Sequence, residues 1–98
     1  MSSSLSPTQL RDRLGNASLV LTSRSAMSVV NAIQEQNNTP EDKGSQLGGL
    51  LTAFLMVFDT CGLPLEDLLG MARNIVNDAE GVRPEFMAVK RYIENEVL

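Results

Sequence analysis

The chain has 98 residues and a mass of 10.7 kDa, which leaves room for one domain and one core. Hydrophobic residues make up 43% and charged residues 20%, a globular balance that excludes wholesale disorder. Histidine is absent and cysteine occurs once, which removes Ser-His-Asp and Cys-His catalysis, Cys/His zinc sites and any internal disulfide. Eight basic against twelve acidic residues give a net charge of −4, the wrong sign for a general nucleic-acid binder.

Met1-Ser2-Ser3-Ser4 has neither the basic start nor the apolar stretch of a secretory signal. The most apolar run, Leu47 to Phe58, would be about 18 Å long as a helix, well short of a ~30 Å bilayer core. With an unpaired cysteine, these features point to a cytoplasmic protein without a membrane partner.

In chain order, residues 1–5 are serine-rich and expected to fray. Ser6-Pro7-Thr8-Gln9 predicts a helix start, with Ser6 and Gln9 forming a capping box and Pro7 in the first turn. Gly15-Asn16 predicts a break, because the stripe Leu10, Leu14, Ala17, Leu21 opposes the stripe Leu19, Ala26, Val30, Ile33 on a continuous helix. A second helix is expected from Ala17 to about Gln36. After Gln36-Asn37-Asn38, Thr39-Pro40-Glu41-Asp42 predicts a new helix, capped by Thr39, with its acids at the positive end of the dipole. It should run to Cys61 and stop at Gly62 and Pro64, with a core face of Leu47, Leu50, Leu51, Phe54, Phe58 and Cys61. Ala53, Met56 and Val57 leave the opposite side nearly apolar too, so neighbours must enclose this helix, in its own chain or in a partner.

Pro64-Leu65-Glu66-Asp67 starts a further helix whose stripe is Leu65, Leu68, Leu69, Ala72, Ile75, Val76 and Ala79, ending at Gly81. Pro84-Glu85 starts the last, with Phe86, Val89, Ile93 and Val97 inside. No two-residue alternation or Asn-Gly hairpin signal appears, so no sheet is expected. The predicted fold is all-α, a compact bundle of four or five helices with short loops, forming a single domain over residues 1–98.

Three glycines in the central helix, Gly44, Gly48 and Gly49, need a reason, since each costs about 1 kcal/mol against alanine. Gly44 and Gly48 share a side with Thr52 and Leu55, where another backbone could approach closely. That crossing is either internal, against the preceding helix, or a self-association seam that Gly48→Leu would wedge apart. Lys43-Gly44-Ser45 lacks the strand and glycine spacing of a phosphate loop. Arg91 and Tyr92, with Ala88 and Asn95, form an outer strip carrying residue types common at interfaces. Arg24 lies among Ser18, Thr22, Ser25 and Ser28. Arg24, Ser25 and Ser28 are therefore a possible anion or ligand strip, or small residues at a close helix contact.

Ala32-Ile33, Gln46-Leu47-Gly48-Gly49, Gly62 and Glu66-Asp67, in that order, resemble part of the MazG-type all-α nucleotide pyrophosphohydrolases over about a third of the chain. The chain departs from that family where its magnesium ligands belong: Arg24, Ser25 and Ser28 replace the first acidic cluster, and Gln46 and Gly49 replace acids of the second. The resemblance implies a related dimeric helical scaffold without metals; shared amphipathicity would produce the same letters. Glu41-Asp42 and Glu66-Asp67 are explained by helix dipoles, and Asp59 has no acidic neighbour at helical spacing.

The expectation is a small non-enzymatic interaction protein that associates with itself, as a dimer or higher, and with another protein. It is expected to need no cofactor or metal and to release no phosphate from nucleotides with magnesium. An acidic inhibitor or immunity-type protein that blocks a partner is the alternative. A small-ligand or nucleotide-binding protein on a metal-free scaffold comes third.

Overall fold

The structure, a computed structural model, describes residues 5–36 and 40–98. Its first helix, α1, spans Pro7–Gly15 and opens with the predicted capping box. Ser6 Oγ accepts from the Gln9 amide at 3.1 Å, and Gln9 Oε1 accepts from the Ser6 amide at 2.8 Å. The chain breaks where the two opposed stripes require it. Asn16 turns its side-chain amide back to the Asp12 carbonyl, and Ser18 Oγ then caps α2, Leu19–Gln34, by accepting from the Leu21 amide. The predicted cap at Thr39 lies outside the described residues. A 3-10 turn over Pro40–Asp42 leads into α3, Lys43–Thr60.

α3 ends in a glycine-dependent cap. Gly62 takes φ +71°, its amide donates to the Asp59 carbonyl, and the Leu63 amide donates to the Phe58 carbonyl. This reciprocal pair satisfies two orphan carbonyls and turns Leu63 inward, where it is buried. α4 follows over Leu65–Val76, bent 115° from α3.

The expected continuation of α4 to Ala79 and the expected absence of any sheet need correction. Asn77–Asp78 and Gly81–Val82 form a two-stranded antiparallel ladder, β1 and β2. Short polar side chains compete for the backbone here. Asn77 donates to the Arg73 carbonyl at 3.1 Å, and Asp78 Oδ1 accepts from the Glu80 amide at 2.8 Å. Gly81, at φ +120°, completes the reversal, and the Arg83 amide closes it on the Val76 carbonyl at 2.7 Å. The ladder is a corner between helices, and the architecture remains, among the described residues, an all-α bundle of five helices with short loops.

The last helix, α5, covers Pro84–Tyr92 and widens into a π-turn over Ile93–Val97, where the Leu98 amide reaches the Ile93 carbonyl. The core lies between α2 and this C-terminal segment. Val30 and Ile33 pack with Val89 and Val97, edged by Ala26, Met27, Tyr92 and Ile93. Tyr92 ties the same two helices together, its hydroxyl donating to Asn31 Oδ1 at 2.8 Å. Lys43 Nζ donates to the Val97 carbonyl, joining the start of α3 to that segment.

The predicted core face of α3 is not a core face. Only Gln46 is buried on this helix; Leu47, Leu50 and Leu51 are exposed, and Phe54, Phe58 and Cys61 are half-buried. The chain exposes 7151 Å², whereas a folded monomer of this mass exposes about 5500 Å². The apolar residues of α3 contribute to that surplus.

Candidate functional site

α3 presents the largest run of unpaired apolar side chains among the described residues. Leu51 is 69% exposed, Met56 63% and Leu55 50%; Leu47, Leu50 and Val57 are also open to solvent. Leu47, Leu50, Leu51 and Phe54 line a shallow depression of about 320 Å³ on its surface. Phe54 and Phe58 meet edge to face, with ring centroids 4.8 Å apart. No charged residue interrupts the helix between Lys43 and Asp59. A monomer keeps such a surface out of contact with itself only at a hydrophobic cost in water.

The glycines belong to this open surface. A Cβ built on Gly44, Gly48 or Gly49 meets nothing within 4 Å, so none of them marks the internal crossing against the preceding helix. Thr52 and Leu55 continue the same exposed side. α3 does touch α2 and α4, but not through these notches.

Arg91 and Tyr92 sit elsewhere. They line a shallow groove with Met27, Ala88, Asn95 and Glu96, and no α3 residue takes part. The structure thus separates the predicted interface residues into two surfaces. Tyr92 is half-buried and hydrogen-bonded to Asn31, which gives it a role in holding α5 to α2.

Arg24, Ser25 and Ser28 are all exposed on α2 and line none of the grooves described here. Ser28 Oγ donates to the Arg24 carbonyl at 3.1 Å, and Thr22 and Ser23 likewise bond back to their own helix. These hydroxyls serve the helix that carries them.

Two further concave surfaces carry no sequence signal that singled them out. One, of about 320 Å³, runs between α2, the β corner and α5, and is walled by Val76, Val82, Phe86, Val89 and Ile93, with Lys90 and Glu94 completing it. The other, of about 290 Å³, lies where the α1–α2 junction meets α4. Arg83 enters it, donating through Nη2 to the Asn74 carbonyl at 3.1 Å, while its Nε is buried without a partner. An exposed ion pair between Arg11 and Asp67, 3.4 Å apart, links α1 to α4 and contributes little.

Among the described residues, no three His, Cys, Asp or Glu side chains gather as a metal site, and no single helix is long and apolar enough to cross a membrane. No protein-family model matches the chain, and neither curated proteins nor solved structures give a match.

Proposed function

We propose that this is a small, non-enzymatic helical interaction protein that associates with itself through the apolar face of α3. The observation that carries this reading is the inversion of burial on that helix. Its fifteen residues between Lys43 and Asp59 hold no charge, yet the only buried side chain among them is the polar Gln46. Leu51 and Met56 are more than half exposed. A stable protein–protein interface needs roughly 800 Å² from each partner. The open apolar side chains of α3 would supply part of that area.

Sedimentation across a concentration series tests the proposal, the expected species being a dimer or higher oligomer in the micromolar range. A monomer persisting at ~100 μM, equivalent to an association weaker than about 5.5 kcal/mol, overturns it.

A further inference from the structure

We infer that the cup between the α1–α2 junction and α4 binds a small carboxylate with an apolar body, its charged end received by Arg83. The apolar side chains Leu14, Ala17, Leu19, Met71 and Ile75 wall this cup. Among the described residues, Arg83 is the one charged residue that lines it. No α3 residue takes part, so the site is independent of the self-association face. Its volume of about 290 Å³ lies at the lower edge of the range for small-molecule sites, roughly 300–1000 Å³. The ligand that fits is therefore small.

Arg83 reaches the cup with its charge uncompensated. It is half-buried, and among the described residues no carboxylate pairs with it; the one ion pair joins Arg11 to Asp67. Nη2 donates to the Asn74 carbonyl at 3.1 Å, which anchors the guanidinium against α4. Nε is buried without a partner, and Nη1 makes no hydrogen bond either. An exposed arginine such as Arg24 is hydrated on all sides, whereas Arg83 has lost part of its water. That loss costs free energy which only a counter-charge or further hydrogen bonds offset.

The two parts of the cup specify the two ends of the ligand. A guanidinium presents its donors in a planar fork, which suits a carboxylate better than a neutral oxygen. The apolar walls gain only from a body that displaces water from them. An inorganic anion would leave the walls wet, and a hydrocarbon would leave the guanidinium unmet.

A chemical-shift titration of the isotope-labelled full chain tests the site, with hexanoate as probe and hexanol as its uncharged counterpart. Hexanoate should shift the amides of Gly15, Ala17 and Met71 along a saturating curve, and should bind at least about tenfold more tightly than hexanol. Acetate and inorganic phosphate, which lack the apolar body, should bind more weakly than hexanoate. Arg83→Gln should lower hexanoate to the affinity of hexanol. Ala17→Leu fills the cup from an exposed position and should abolish binding of both. Equal affinity for hexanoate and hexanol overturns the proposal, as does the absence of saturation by ~10 mM hexanoate. Undiminished hexanoate binding in either variant overturns it too. Should Arg83→Gln unfold, the preference of the parent and the loss in Ala17→Leu decide between them.

Discussion

Leu51→Glu separates the two roles that an apolar residue can have, because it should dissolve the dimer and spare the fold. Fully burying a leucine is worth about 1.5–3 kcal/mol, and 69% of Leu51 is still exposed in the monomer, so about 1–2 kcal/mol remains to be gained on association. Two copies lose it together, about 2–4 kcal/mol, which is roughly a 30- to 1000-fold rise in Kd. Glutamates carried into a shared apolar interface add a desolvation cost. Within the monomer the substitution forfeits only the covered third of the side chain, at most about 1 kcal/mol, and glutamate is nearly as good a helix former as leucine. Sedimentation equilibrium reads the first quantity, and urea unfolding at a concentration where both proteins are monomeric reads the second. A variant that unfolds by more than about 2 kcal/mol would place Leu51 in the core. One that dimerises as well as the parent would falsify the interface.

Gly48→Ala should raise the unfolding free energy of the monomer by up to about 1 kcal/mol, since its Cβ meets open space; Gly48→Leu should keep that gain while abolishing the dimer in sedimentation. Ile33→Ala, at a 4% exposed position between α2 and α5, should cost about 2–5 kcal/mol in denaturant unfolding, and a loss below 1 kcal/mol would show that this core is not the one that holds the fold. Tyr92→Phe keeps the ring and removes the bond to Asn31, so a loss of about 0.5–1.5 kcal/mol is expected by the same assay, with the dimer affinity untouched. A loss of dimer in Tyr92→Phe instead would bring the Arg91–Tyr92 groove into the interface.

Local punctuation proved the most legible part of the sequence. Ser6 with Gln9, the break after Gly15, Gly62 and Pro84 act over a few residues, and their chemistry does not depend on what packs nearby. The stripes of α2 and α5 were legible for a related reason: each has a single apolar face, and the two faces meet at Val30, Ile33, Val89 and Val97. α3 was legible as a helix but not in its surroundings. Periodicity shows that Leu47, Leu51 and Phe54 share a side; it carries no information on whether the surface opposite belongs to the same molecule. The end of α4 was misplaced for a different reason, because Ala79 extended an apolar stripe while Asn77 and Asp78 pulled the backbone into a turn. Side-chain competition for main-chain groups outweighed one methyl. Arg83 was invisible because its partner, the Asn74 carbonyl, is a backbone atom brought near by that turn.

The concentration of buried side chains between α2 and α5, with one buried residue on α3, divides the molecule into two tiers of local stability. Amide protons around Val30, Ile33 and Val89 are expected to exchange with solvent only when that core opens, whereas those of α3 need only that helix to detach and fray. Pairing ties the second tier to the first, since an α3 covered by another copy must lose its interface before it can open. With the proposed pairing, the slowest-exchanging segment should grow with the protein's abundance, and a dilute chain should offer proteases a loosely held helix that a concentrated one conceals.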